Sequence, residues 1–351
     1  MIIAIIGVGL IGGSIGLAIK DSKLKIQNVT GIGRNIERLK IAKKLGAVDK
    51  ITTNFREGVK DADIIFVCLP VSLIADTVKK IIPFCKKGAI ITDVGSVKTP
   101  IVKKVENFLF PIPSSLSPVF IGGHPIAGSE KTSVKYASKE LFKNAVVILT
   151  PTTKTKKNAL DIIKNLWKKM GAKVKIMSAE KHDKILSSTS HLPHIVAFSL
   201  VNSVDNFELV GNGFRDTTRI ASSDPEMWAD IIFHNRTNVR RTIRKFINEL
   251  KKIEKAKSKK ELLNYFRKAK IKREAKCNNR ILSEDNLIKF IKVSLRQRRI
   301  PPSVREVAKY FAVSVSTAHQ RLKNLYEKGL IFKRKSQNSS RRVARGITSK
   351  K

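Results

Sequence analysis

Three groups of residues in this chain have types and spacings suited to chemistry. The first is Gly7-Val8-Gly9-Leu10-Ile11-Gly12, which follows the apolar run Ile2–Ile6. A buried strand that runs into G-x-G-x-x-G and then a helix is a dinucleotide-binding arrangement. Gly7 permits the tight turn, Gly9 lets the backbone approach a pyrophosphate, and Gly12 permits close packing of helix on strand. Leu10 and Ile11 lie at the helix N-terminus that receives the anion. Leu69 and Pro70, just past the apolar run Ile64–Cys68, are assigned to the same crevice. About 20 residues after the glycines an NAD enzyme carries Asp or Glu for the ribose 2′-hydroxyl. Here the sequence reads Ile32-Gly33-Arg34-Asn35, without a carboxylate. Arg34 facing a 2′-phosphate favours NADP over NAD; a solvated Arg34 in an enzyme that accepts both is the competing reading.

The second and third groups are two loops expected after strands. Asp93-Val94-Gly95-Ser96-Val97-Lys98 follows a strand ending at Thr92, and Gly122-Gly123-His124-Pro125-Ile126-Ala127-Gly128-Ser129-Glu130 follows one ending near Ile121. A histidine between glycines and a proline, just past a strand end, is placed for proton transfer rather than packing. Either loop alone is more often structural than catalytic.

Three further segments change that reading: Ser190-His191-Leu192-Pro193-His194, Gly213-Phe214-Arg215-Asp216-Thr217-Thr218-Arg219-Ile220-Ala221, and Ser223-Asp224-Pro225-Glu226-Met227-Trp228. Together with the two loops, and in this order, they resemble the signature segments of prephenate dehydrogenases across roughly residues 1 to 270. The resemblance implies oxidation of prephenate to 4-hydroxyphenylpyruvate, with loss of carbon dioxide as hydride passes to a nicotinamide. It implies that His124 accepts the proton of the ring hydroxyl and that Ser96 bonds the same region. Arg219 grips a substrate carboxylate, for which its planar fork is suited. His194, Ser190, Arg215 and Trp228 belong to the substrate pocket by the same resemblance, although a core or helix-start role for His194 stays open. His191 reads as orienting or structural, and nothing beyond their presence marks His182 or His234. Arg215 stands where a close relative has Lys, and Asn212 interrupts an expected glycine run; both leave arogenate open as the substrate. A homodimer is implied too. Two competing functions are a nucleotide-sensing transcriptional regulator, which has no use for Ser96, His124 and Arg219 together, and a related imine or hydroxy-acid reductase, which lacks the His-Pro-Ile-Ala-Gly loop.

These residues need a scaffold, and the first half of the chain alternates short apolar runs with amphipathic stretches. Strands are expected at 2–6, 28–32, 64–68, 89–92, 120–122 and 146–149, with helices such as Ile36–Leu45 and Leu73–Ile82 between them. Such alternation implies an α/β class with a Rossmann-type, mostly parallel sheet covered on both faces, here over residues 1–152. A proline-rich loop is expected over Phe110–Pro118. An all-α substrate and dimerisation domain is expected over 153–276, with helices Asn158–Met170, Pro193–Asp205 and Pro225–Lys252, then a Lys-rich helix or linker over 251–276. A small winged-helix-like domain is expected over 280–347, with a helix at 283–299. There Ser303 and Glu306 make a capping box for Val304–Phe311, Ser314–Lys328 ends in Gly329, and Leu330–Lys333 with Arg342–Ile347 form a basic hairpin. The second of its paired helices shows Ser316, Thr317, Gln320, Arg321 and Lys323, donors suited to phosphates and base edges. DNA is the partner this implies; a protein-docking winged helix is the alternative.

Composition bounds the rest. The net charge is +42, and residues 236 to 351 hold 36 Lys/Arg against 8 Asp/Glu. Such a field attracts polyanions, although lysines are dense throughout. Cys68, Cys85 and Cys277 form no metal-like or disulfide-like spacing, so a reducing compartment and no metal are expected. The apolar start lacks a basic n-region, and no apolar run reaches spanning length; a soluble cytoplasmic protein without membrane partners is expected.

Overall fold

The apolar run Ile2–Ile6 forms β1, and its residues alternate between two covered faces. Ile3 and Ile5 join one buried cluster, Ala4 and Ile6 the other, the period of a strand enclosed on both sides. The elements then follow as α1 (Leu10–Asp21), β2 (Asn28–Ile32), α2 (Ile36–Lys44), β3 (Lys50–Thr52), α3 (Phe55–Val59), β4 (Ile64–Val67) and α4 (Val71–Ile81). Next come β5 (Ile90–Asp93), α5 (Thr99–Leu109), β6 (Val119–Ile126), β7 (Val146–Thr150), α6 (Lys157–Lys169) and β8 (Lys173–Ile176). The eight strands form one sheet in the order β3-β2-β1-β4-β5-β6-β7-β8, parallel except for the β6–β7 pair. The order reverses between β1 and β4, which opens a crevice at their carboxyl ends. Trp167 plugs one face, edge-on to Phe66 and Phe142 at centroid distances of 5.9 and 5.1 Å.

The structure, a computed structural model, describes residues 1–22, 24–113, 116–128, 133–277, 284–298, 300–311, 313–333 and 347–349. It divides into two compact units, Met1–Phe246 and Ile247–Lys351. After the sheet, the first unit holds α7 (Ala179–Leu186), a π-helical turn (Ser187–His191), α8 (Leu192–Asn202), α9 (Asn212–Thr218), α10 (Pro225–His234) and the start of α11 (Arg236–Glu254). The second holds α12 (Lys259–Cys277), α13 (Glu284–Arg298), α14 (Val304–Phe311), α15 (Val315–Glu327), β9 (Ile331–Lys333) and β10 (Ile347–Ser349). Among the described residues no helix is long and apolar enough to cross a membrane.

Several expectations are corrected. The sheet runs past residue 152, because β8 pairs in parallel with β7. Its sequence, Lys-Val-Lys-Ile, is mostly exposed, as suits an edge strand that discourages further pairing, and so lacks an apolar signal. The short edge strand β3 was hidden for the same reason.

His124 does not lie beyond a strand end. β6 continues to Ile126 because its second half pairs with antiparallel β7, His124 opposite Ile148. Past Ile121 β6 has no β5 partner, and a strand paired on one side tolerates Pro125. The expected helix 225–252 breaks at Asn235, whose side chain turns inward to bond the Asp183 carbonyl at 2.9 Å. Pro193 does not start a separate helix; the π turn carries α7 into α8, with the Leu192 N–H on the Ser187 carbonyl. Such five-residue turns often mark functional positions in helices.

In the second unit Leu287, Ile291, Val307, Phe311, Ala318, Leu322, Leu325 and Ile331 form a separate core. Ser303 and Glu306 make the expected reciprocal cap, with N–H to oxygen distances of 2.7 and 3.2 Å. Arg298 and the Ser303 N–H together hold the Glu306 carboxyl down at about 2. Gly329 takes a positive φ of 65° after α15. The hairpin's second strand is β10, antiparallel to β9 and later than expected; residues 342–346 lie outside the described residues, as do Ser129 and Glu130.

Candidate active site

The glycine turn is shaped by contacts that exclude a side chain. Gly7 has φ +87°, and a Cβ there would sit 2.3 Å from the Cys68 carbonyl oxygen. A Cβ on Gly12 would lie 2.3 Å from the Gly7 carbonyl oxygen. The Gly7 N–H bonds the Ile32 carbonyl at 2.8 Å, which ties the turn to the end of β2 and so to Gly33 and Arg34. Leu69 lies against Gly7, and Pro70 caps α4. Gly9 caps α1 without a side chain, and its first turn holds no acid. That leaves its N–H groups for an anion. The residues therefore fit a dinucleotide. Arg34 is exposed, with no ion-pair or hydrogen-bond partner among the described residues.

A buried pair locks the two loops beside this crevice. The Lys98 ammonium, wholly buried, pairs with Asp93 and donates to the Gly123 carbonyl at 2.7 Å. Asp93 accepts from the Gly95 N–H at 2.9 Å and the Gly123 N–H at 3.1 Å. The segment carrying Ser96 is thus fastened to the strand carrying His124. Burial lowers the Lys98 pKa, while Asp93 opposes that shift. Half-buried Ser96 has no hydrogen-bond partner among the described residues, which leaves its hydroxyl for a ligand.

His124 is 8% exposed, and its Nδ1 lies 2.8 Å from His182 Nε2. His182 Nδ1 lies 2.8 Å from an Asp183 oxygen. Asp183 also accepts from the Lys98 and Thr99 N–H groups, each at 2.8 Å. Burial alone would raise the Asp183 pKa, but these donors outweigh it and hold the carboxyl low. An ionised Asp183 accepts from His182 Nδ1–H, so neutral His182 presents an unprotonated Nε2. His124 must then carry its proton on Nδ1, which leaves its Nε2 lone pair as the base. Burial, followed by the positive charge that His182, Lys98 and His191 can carry, holds the His124 pKa well below 6.5. The imidazole is neutral at pH 7. Nothing local in the sequence marked His182 or Asp183; α7 places both on its inner face.

The second cluster lies on the π turn, α8 and α10. His194 stacks on Trp228 with centroids 3.4 Å apart, and its Nδ1 donates to the Ser190 carbonyl at 3.1 Å. His191 is buried with its Nδ1 3.2 Å from the Asn235 amide nitrogen. That amide donates, so the His191 proton sits on Nε2. This N–H and the Trp228 Nε1–H are both buried without a protein acceptor among the described residues. Burial drives the His191 pKa down to about 4. α10 is fixed to the sheet through Trp228 and Ile231 in its core, and Asp230 accepts the Ser72 N–H at 3.0 Å. Arg215 and Arg219 are exposed on α9 and the turn after it. Neither has an ion pair or hydrogen bond among the described residues. α8 packs against that turn.

In the second unit Ser316, Thr317, Gln320, Arg321 and Lys323 are exposed on α15, opposite buried Ala318, Leu322 and Leu325. Ser314 caps the helix by accepting the Thr317 N–H at 3.0 Å.

Known proteins share this organisation. Residues 15–176 match the family described as prephenate dehydrogenase, nucleotide-binding domain, and residues 178–268 match its dimerization domain. Residues 283–341 match the LexA DNA binding domain. The Bacillus subtilis (strain 168) prephenate dehydrogenase is 40% identical over 283 residues, covering 76% of this chain and 74% of that protein. The cyclohexadienyl dehydrogenase of Zymomonas mobilis is 34% identical, covering 72% of this chain and 86% of that protein. The crystal structure of the A. aeolicus prephenate dehydrogenase, in complex with hydroxyphenyl propionate and NAD+, matches with a TM-score of 0.71 at 38% identity. That match covers 78% of this chain and 97% of the other. The Synechocystis arogenate dehydrogenase structure matches at 0.66 and 28% identity, covering 77% and 96%. Likeness of this extent, on a sheet whose crevice excludes side chains and whose buried imidazole is held as a base, means that the chain belongs to the prephenate dehydrogenase family.

Proposed function

We propose that this chain oxidises prephenate to 4-hydroxyphenylpyruvate and carbon dioxide as part of tyrosine biosynthesis, with NADP+ preferred over NAD+. The observation that carries the reading is the Asp183–His182–His124 chain, which leaves an unprotonated Nε2 on a buried imidazole. The bound dinucleotide supplies the hydride acceptor. His124 takes the ring hydroxyl proton as the carbonyl forms. Loss of the ring carboxylate as carbon dioxide then sends its electron pair through the ring to the carbonyl oxygen, which takes up a proton as the ring becomes a phenol. Ser96 bonds the same oxygen and helps seat the nicotinamide. Arg219 grips a substrate carboxylate; Arg215, Ser190, His194 and Trp228 complete the pocket. The protein's task is positioning and one proton transfer. A sensor of nucleotide alone would have no use for this buried relay. Arogenate is the alternative substrate.

An assay crossing prephenate and arogenate with NADP+ and NAD+ tests this; no turnover in any combination ends the enzyme reading. Prephenate with NADP+ should give the highest kcat/KM. Arg34→Ala should lower the NADP+ to NAD+ ratio of kcat/KM about tenfold or more, the worth of one charge-assisted bond. An unchanged ratio removes Arg34 from cofactor choice.

The low His124 pKa sets a pH signature. The base is unprotonated above its folded pKa, so kcat/KM should stay flat from pH 8 down to 6.5, and the acid limb should lie lower. An acid limb centred at 7 or above would show that the imidazole is not held neutral.

We also infer that the protein is a homodimer. α8 is almost wholly apolar in sequence yet only Ala197 on it is buried, and Leu209 beyond it is 97% exposed. A partner covering this surface explains both. A second activity, DNA binding, is supported by the match over 283–341 and the exposed donors on α15. Replacing Arg321 and Lys323 together by Ala should weaken duplex binding and reduce the salt slope by about 0.9 per lost phosphate contact. Equal affinity and slope would place binding elsewhere.

A further inference from the structure

α7 has two faces. One carries His182 and Asp183 of the relay inward. The other, with the π turn after it, forms one wall of a cavity of about 430 Å³ whose opposite wall is α11. Lys181 and Lys184 line it from α7, and Arg241 and Lys245, one helical turn apart, from α11. No carboxylate lines it. None of the four cations has an ion-pair partner among the described residues. Some lysines of this chain are paired, as in Lys20–Asp49, Lys86–Asp63 and Lys139–Asp21; around this cavity four cations share one lining without an acid. Ser187 and Thr242, whose hydroxyls lie 2.9 Å apart, lie between the cations.

We propose that this cavity binds a compact polyphosphate anion, its charges shared among Lys181, Lys184, Arg241 and Lys245. Four cations around one cavity with no acid in its lining suit phosphoryl oxygens, and the volume is that of a small-molecule site. A concavity between two helices suits a short chain of phosphates better than a rigid duplex. The site also has a hold on the relay. Asn238 in its wall donates to Asn235 at 2.9 Å, and Asn235 donates to the Asp183 carbonyl at 2.9 Å. The inference concerns binding and stands whether or not the proposed reaction is correct.

Inorganic tripolyphosphate is the probe, titrated into the full-length protein with NAD+ at saturation so that the glycine turn is filled. Calorimetry gives the affinity, and amide exchange locates the site. The expected result is protection of 181–188 and 238–245, with affinity lowered at least tenfold in Lys184→Gln/Arg241→Gln. Should that variant be poorly folded, Lys181→Gln/Lys245→Gln is the second. Lys168→Gln/Lys169→Gln, at two exposed positions at the end of α6, should bind as the unaltered protein does. Protection confined to 7–13 or to 315–323 overturns the proposal, as does affinity within twofold in both cavity variants or an equal loss in the α6 control. Duplex DNA protecting the cavity segments where tripolyphosphate does not would overturn it as well.

Discussion

Replacing His124 by asparagine lowers kcat on prephenate by about 10² to 10⁴, the usual contribution of a positioned general base, and leaves dinucleotide affinity unchanged. The amide keeps a polar group near His182 Nε2 but offers no basic nitrogen to the substrate hydroxyl. The glycine turn lies on β1 and α1, and its shape depends on the Cys68 and Gly7 carbonyls rather than on His124. Steady-state kinetics measure the first effect; calorimetric titration of the dinucleotide measures the second. Turnover within tenfold of the unaltered protein would remove His124 from the reaction. Loss of dinucleotide affinity in parallel would make it a structural residue.

Asp183→Asn should have a comparable effect from further away, on the order of 10³ in kcat, with little change in KM. With its oxygen on the Thr99 N–H, an asparagine here sets its NH2 at the Oδ1 position, which faces both His182 Nδ1 and the Lys98 N–H, so the bond from Lys98 is lost. Its NH2 then faces His182 Nδ1 and donates where the carboxylate accepted. His182 flips to a proton on Nε2, His124 to a proton on Nε2, and the lone pair that served as base is gone. The serine-protease triad shows the same tautomer logic, with an Asp→Asn loss near 10⁴. A merely structural role would lower the folded fraction without altering the pH profile of the remaining activity; a tautomer role reshapes that profile. Stability has its own pH signature. The Asp183 pKa is held low in the fold, so its contribution is present above about 3.9, the unfolded value, and is lost as pH falls through the folded value. The acid loss of melting temperature below pH 4 should therefore be shallower in Asp183→Asn. An acid slope equal to that of the unaltered protein would show that the carboxylate is not held ionised.

The candidate site was only partly legible. Gly7, Gly9 and Gly12 and the order of the five signature segments stand in the sequence, and the glycines lie between β1 and α1 as their spacing implies. The glycines and proline around His124 read as a loop end, whereas the residue sits inside β6. Nothing in the neighbouring sequence marks His182 or Asp183. Arg219 is exposed and has no ion pair or hydrogen bond among the described residues, so its role is the one the resemblance implies.

Local chemistry explains what the sequence determined by itself. A strand with alternating burial, a turn that only glycine can make, and a reciprocal cap between Ser303 and Glu306 each span a few neighbours. Their outcome is settled by backbone sterics and hydrogen bonds within that span. The tertiary structure alone decided the relay, in which His124 and His182 lie 58 residues apart and meet only because α7 docks by its inner face. Burial there removes water, and the loss of hydration holds the imidazoles neutral and makes one nitrogen a base. Desolvation is a property of everything packed around a group, and no run of neighbours in the chain records it.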